Sequence, residues 1–271
     1  MTLKQQTQLD RGVSVHGLAL RYRETSVGGG GVPVIALHGH PGTAATWDAV
    51  APGICAATED GDGEAEAEDE APYRFLALTQ RGYGDSARPA SYAYADFAAD
   101  VFGFADALGL ESFVLIGHSF GGTIASLAAG IDSSRLLGLV LEDSVLPRDP
   151  RPGGIRAADR PEGELAYDWD VTAAIMAQFA DPDPAWWASL ARIGCPTLVL
   201  AGGSTSHVPQ DLLADAAELI PDARLVTLEG AGHTPHRTEP ERFVREVRGF
   251  LDALADGAGS LTIERGPDSR A

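Results

Sequence analysis

Cysteine is nearly absent from this chain. Only Cys55 and Cys195 occur in 271 residues, too few for a disulfide framework or a cysteine-rich metal site. Lysine is scarcer still: Lys4 is the only one, and every other basic residue is arginine. Long apolar runs are missing too. No stretch of about 18 apolar residues exists, so no membrane span is expected. Met1–Asp10 is polar and lacks the apolar core of a signal peptide, which makes a cytoplasmic setting the expectation. Basic stripes are also missing. The chain carries 39 Asp+Glu against 20 Lys+Arg, a net charge of -19. Such a surface does not hold a nucleic-acid backbone through counterion release, and anionic membranes repel it. No His/Cys/Asp group has metal-ligand spacing, so neither metal nor other cofactor is expected. The expected partner is a small-molecule substrate; a homodimer stays open.

The acidity is uneven. Residues 59–70 read EDGDGEAEAEDE. A run of Gly, Ala and acid has no apolar face to bury and repels itself, so it reads as a disordered insertion. The polar stretch 256–271 reads as a flexible tail.

Elsewhere strand and helix signals alternate. Leu18–Arg23 alternates with period two. Short apolar runs recur at Val32–Leu37, Tyr73–Leu78, Phe113–Ile116, Leu136–Leu141, Thr197–Leu200 and Arg224–Leu228. Helical patterns stand between them, at Thr43–Ala56, Tyr94–Leu108, Thr123–Ala129, Gln210–Ile220 and Pro240–Leu254. This is the pattern of an α/β fold, a parallel sheet with helices on both faces. Residues 144–195 break it. They hold six prolines and Trp169, Trp186 and Trp187. They read as a small helical cap inserted after the sixth strand, on a core formed by 1–143 and 196–255. Ligands bind at the strand ends in such sheets, so the three tryptophans either line the pocket or only pack the cap onto the body.

Three motifs carry chemistry. Gly117-His118-Ser119-Phe120-Gly121 has the form G-x-S-x-G between an apolar strand and a helix, where a tight turn lifts a serine hydroxyl clear of the backbone. His38-Gly39-His40-Pro41-Gly42 follows another strand. The backbone amides of His40 and Phe120 are the expected oxyanion hole. Gly230-Ala231-Gly232-His233 follows a later strand and supplies a base; His236 is the close competitor, and the glycines favour His233. His118 and His40 are also expected along the pocket. His16, His38 and His207 read as structural or surface residues.

With HGHPG (38–42), RGYGDS (81–86), GHSFGG (117–122), GAGH (230–233) and EPERF (239–243), the chain resembles the α/β-hydrolase superfamily from about residue 13 to 254. The resemblance implies a mostly parallel eight-stranded sheet, Ser119 as nucleophile and His233 as base. It also implies that Arg81, Gly82 and Asp85 form a structural loop beside the oxyanion strand. The family's usual acid lies after the seventh strand, in a stretch like G-x-x-D-x-x-x-P. Here that stretch is Gly202 to Pro209, with Thr205 in the acid's slot. Thr205 cannot carry the negative charge that an imidazolium needs beside it. Glu142-Asp143 closes the sixth strand, the position used by some relatives, including certain haloalkane dehalogenases and zearalenone-type lactonases. Asp143 is therefore the expected acid, with Glu142 next and Asp211 a further alternative. Glu142 is otherwise expected to face the substrate.

A serine nucleophile disfavours dehalogenase and epoxide-hydrolase chemistry, which in this superfamily needs Asp there. The expected reaction is hydrolysis of a carboxylic ester or lactone of a small apolar molecule through an acyl-enzyme. A proline-type aminopeptidase, a thioesterase, a lyase and a non-hydrolytic ligand-binding protein are the alternatives. Arg148, Arg151 and Arg156 are the cap cations that could meet a phosphate-bearing substrate.

Overall fold

The structure is a computed structural model that describes residues 7–26, 31–56, 72–144, 146–151 and 159–257. The acidic run 59–70, Arg156 and the tail from 258 onward lie outside the described residues.

Eight strands form one sheet: β1 (Thr7–Val15), β2 (Leu18–Ser26), β3 (Val32–Leu37), β4 (Tyr73–Thr79), β5 (Phe113–His118), β6 (Leu136–Glu142), β7 (Thr197–Ala201) and β8 (Ala223–Thr227). Their order is β1-β2-β4-β3-β5-β6-β7-β8. β2 runs antiparallel to both β1 and β4, and the other pairs are parallel. The helices are α1 (Ala51–Cys55), α2 (Tyr94–Ala107), α3 (Phe120–Ile131), α4 (Trp169–Ala180), α5 (Pro184–Ser189), α6 (Gln210–Leu219), α7 (Pro235–Thr238) and α8 (Pro240–Ala255). None is long and apolar enough to cross a membrane among the described residues.

The central strands read as unbroken apolar runs because helices cover both faces. In β3, Ile35 and Leu37 pack with Phe97, Phe104 and Ile124 of α2 and α3. Val34 and Ala36 point the other way, toward Ile54 of α1 and Phe243 of α8. On α8, Phe243, Val247, Phe250 and Leu251 fall on one helical stripe and are buried. Each such side chain contributes about 1.5–3 kcal/mol by leaving water.

Two elements differ from the sequence reading. The helix expected over 43–56 is split into a 3-10 turn, Ala44–Trp47, and the short α1. Pro52 has no N–H to continue a helix and is tolerated only in a first turn, so the helix restarts around it. β1 was not foreseen. It is an edge strand, mostly exposed, and its polar sequence TQLDRGVSV lacks the apolar face that marks a strand. Its pairing is set by the turn at His16 and Gly17, both at positive φ, 51° and 80°.

The segment between β6 and β7 contributes α4 and α5. It is held to the loop after β4 by backbone bonds: Gly84 N–H to Ala166 O at 2.7 Å and Asp168 N–H to Gly82 O at 2.7 Å. Arg81, Gly82 and Asp85 do lie in that loop. Arg81 donates twice to buried Asp100, at 2.6 and 2.7 Å.

Candidate active site

The turn from β5 to α3 is built by its glycines. A Cβ on Gly117 would lie 2.4 Å from Gly121 O, and one on Gly121 2.3 Å from Leu37 O. No side chain fits at either place. Ser119 between them sits at φ 50° and ψ -121°, a strained position for a non-glycine residue. Ser144 Oγ steadies it by donating to Ser119 O at 2.6 Å.

Three side chains from distant loops meet there. Ser119 Oγ lies 2.9 Å from His233 Nε2, and His233 Nδ1 lies 2.8 Å from Asp143 Oδ2. A carboxylate only accepts, so Nδ1 carries the proton and Nε2 is free to accept from the serine hydroxyl. Asp143 follows β6 directly, at φ 43°. Its side chain is fully buried. Burial on its own would raise the carboxyl's pKa. Hydrogen bonds from His233, Ser206, the Gly202 backbone and Gln210 outweigh that and hold it below the usual range.

The loop after β7 therefore has no acid but cradles one. Gly202 N–H donates to Asp143 Oδ1 at 2.9 Å and Gln210 Nε2 at 3.2 Å, while Ser206 Oγ donates to Oδ2. Thr205, in the usual acid's slot, is exposed. Ser206 and Gln210 were missed by the sequence reading. The only signal for them was the polar content of the loop itself. His207, expected at the surface, is exposed, but its ring centroid lies 4.1 Å from that of His233. Asp211 lines the nearby cavity and does not reach His233 by any described hydrogen bond.

That cavity measures about 780 Å³. Ser119, His233, His40 and Phe120 all line it. Phe120 opens α3, so its amide has no carbonyl one turn back within the helix. The His40 ring is clamped between Tyr83 OH, 2.9 Å from Nδ1, and Thr172 Oγ1 on α4, 3.2 Å from Nε2. Burial pushes its pKa down to about 4, which keeps the ring neutral at pH 7.

Five residues expected along the pocket do not line it. Trp186 stacks on Tyr94 at 5.0 Å, Trp187 lies under the Arg148 guanidinium at 5.4 Å, and Trp169 packs against Tyr167. Trp186 and Trp187 pack against the core, while the Trp169 contact stays within the segment. Ile175, Met176 and Phe179 of α4 face the cavity instead. His118 and Glu142, the last residues of β5 and β6, are buried and do not line the cavity. His118 Nε2 donates to His233 O at 2.8 Å. Glu142, fully buried, accepts from His236 N–H at 2.7 Å and from His236 Nδ1 at 2.9 Å. His236 is thus tied to Glu142, away from Ser119. These two residues and His118 lie close enough to hold a metal ion. Nδ1 of His236 and Nε2 of His118 are engaged in the bonds above, while His118 Nδ1 and His236 Nε2 are buried with no hydrogen-bond partner.

His38 ties the loop after β3 to the end of β4 and sets a pH dependence. Its Nε2 accepts from Gln80 N–H at 3.1 Å, so Nδ1 is the protonated nitrogen and donates to Gly39 O at 2.9 Å. Burial pushes its pKa down from 6.5 to about 4. The unfolded chain binds the proton first. Stability therefore falls as pH drops from about 6.5 to about 4, by about 3 kcal/mol from this group. Urea unfolding at pH 7 and pH 4.5 checks this: wild type should lose more stability over that interval than His38→Gln, by about 2 kcal/mol, since pH 4.5 is still above the folded pKa.

The comparisons with known proteins come down on one family. Residues 34–246 match the model of the alpha/beta hydrolase family, and the chain belongs to it. It is similar to the mouse sn-1-specific diacylglycerol lipase ABHD11, at 26% identity over 220 residues covering 66% of this chain and 71% of that protein. It is also similar to a non-heme chloroperoxidase of Streptomyces lividans, at 29% identity over 270 residues covering 82% and 92%. Among solved structures, a thermophilic esterase from Thermogutta terrifontis superposes with a TM-score of 0.70 at 23% identity, over 91% of this chain and 99% of that one. That likeness shows the shared fold.

Proposed function

We propose that this chain is a serine hydrolase that cleaves a carboxylic ester or lactone of a small, mostly apolar molecule through an acyl-enzyme. The observation that carries the reading is the unbroken relay from Ser119 through His233 to Asp143, with contacts of 2.9 and 2.8 Å. Esterase and lipase names among the relatives agree with it.

In this mechanism Ser119 Oγ attacks the substrate carbonyl while His233 Nε2 takes the hydroxyl proton. The carbonyl oxygen becomes an oxyanion facing the amides of His40 and Phe120, each such donor contributing roughly 3–4 kcal/mol to the transition state. Asp143 holds the imidazole in the right tautomer and stabilises the imidazolium. The tetrahedral intermediate collapses, and His233 gives its proton to the leaving alkoxide. Water then attacks the acyl-serine with His233 as base, releasing the acid and restoring Ser119. Residues 144–195 act as the cap, placing Ile175, Met176 and Phe179 against the apolar part of the substrate.

Rapid-quench mass spectrometry during turnover of a p-nitrophenyl ester tests the reading. The expected result is a burst of nitrophenol and an intact-protein mass raised by the acyl group. Turnover with no acyl adduct under any quench time would favour a lyase-type or general-base route instead.

A further inference from the structure

The cavity carries two arginines that the proposed mechanism does not use, and only one of them is paired with carboxylates. In an acidic chain, the stretch entering the cap reads Arg148-Asp149-Pro150-Arg151, and residues 152–158 add Arg156 and no acid. Arg148, Asp149 and Arg151 all line the cavity that holds Ser119. Arg148 is already neutralised, donating to Asp149 at 2.8 Å and to Asp215 at 2.7 Å. Arg151 has no carboxylate partner among the described residues. Its backbone is fixed by a 2.8 Å bond from its N–H to Ala180 O. Its guanidinium lies 4.7 Å above the ring of Phe179, another wall of the cavity. Stacking of this kind orders the long side chain and leaves its in-plane N–H donors free to point at a ligand.

Two of the three cavity carboxylates are already engaged. The Asp143 carboxylate is taken up by its four donors. Asp149 is paired with Arg148. Asp211, in the first turn of α6, also lines the cavity and has no cation partner among the described residues. A ligand that fits the apolar wall formed by Ile175, Met176 and Phe179 therefore meets a free guanidinium at its edge. That planar fork matches a carboxylate in two-pronged geometry.

We propose that the substrate class is an apolar ester or lactone that also bears a carboxylate, and that Arg151 binds that carboxylate. The proposal rests on the ester-hydrolase reading and adds the charge of the substrate to it. Arg151 touches the substrate away from the reacting carbonyl, so its effect falls mainly on KM.

The test compares p-nitrophenyl hemiesters of adipic, pimelic and suberic acids with the uncharged p-nitrophenyl alkanoates of the same chain lengths. Both series are assayed with wild type, Arg151→Ala and Arg151→Lys. Expected is a higher kcat/KM for the hemiester at one or more lengths in wild type. In Arg151→Ala the hemiester-to-alkanoate ratio at that length falls about five-fold, carried by KM, the upper range for a half-open ion pair. Arg151→Lys should recover part of it, and added salt should lower the wild-type ratio. A wild type that prefers the alkanoate at every length, or a ratio that Arg151→Ala leaves unmoved, overturns the proposal while leaving the ester reading standing. Failure to cleave either series overturns the ester reading and this proposal with it.

Discussion

Replacing Ser119 by alanine is expected to reduce ester hydrolysis by about a million-fold in kcat, to the level of residual oxyanion stabilisation and binding. The substitution removes one oxygen and nothing else of consequence. Alanine occupies the same strained backbone, Ser119 at φ 50°, no worse than serine does. The Ser144 brace to the residue-119 carbonyl is kept, since it involves only the backbone oxygen. His233 loses its 2.9 Å partner but retains Asp143, so the base stays in place with nothing to activate. The variant should therefore unfold at the same urea concentration as wild type. Steady-state assay against a p-nitrophenyl ester, with unfolding measured in parallel, separates loss of chemistry from loss of fold.

Asp143→Asn should cost about ten-thousand-fold in kcat with KM little changed. An amide is nearly the shape of a carboxylate but has a donor on one side. The Gly202 N–H, the Ser206 hydroxyl, the Gln210 amide and His233 Nδ1 all face an acceptor in the wild type. Whichever way the amide turns, its NH2 meets at least one of those donors. If it meets His233 Nδ1, the imidazole must take the other tautomer. Nε2 is then protonated and cannot accept from Ser119. The loss is one of activation, not of substrate contact. Glu142→Gln offers the contrast: Glu142 is tied to His236 and does not touch His233, so its substitution does not rewrite the tautomer.

Much of this was legible in the sequence. The apolar runs of β3 to β7 were visible because both faces of those strands are buried. β1 was not, since one open edge face leaves polar and apolar residues mixed. Ser119 and His233 were marked by the glycines that their turns require. Asp143 came from the family resemblance: Thr205 stands in the usual acid's slot and cannot be charged, and some relatives carry their acid at the end of the sixth strand, where Asp143 stands here. The cradle around Asp143 was not readable. Ser206 and Gln210 act through a loop conformation, and no spacing rule ties a hydroxyl and an amide to a carboxylate on another strand. The tryptophans misled for a plain reason. A large aromatic in a cap segment can face the ligand or the body, and composition does not give the direction. The same limit applied to His118 and Glu142, which are buried at the strand ends and bonded to the His233 carbonyl and to His236.

In the proposed mechanism the carboxylate at the end of β6, rather than one after β7, activates Ser119 through His233. A fluorophosphonate probe tests this without knowledge of the natural substrate, because it reports only the reactivity of the serine. Intact-mass measurement of labelling over time, for wild type, Ser119→Ala and Asp143→Asn, is the direct experiment. One adduct is expected on Ser119 in wild type, none in Ser119→Ala, and labelling slowed by about a thousand-fold or more in Asp143→Asn. Labelling of Asp143→Asn at the wild-type rate would contradict that mechanism.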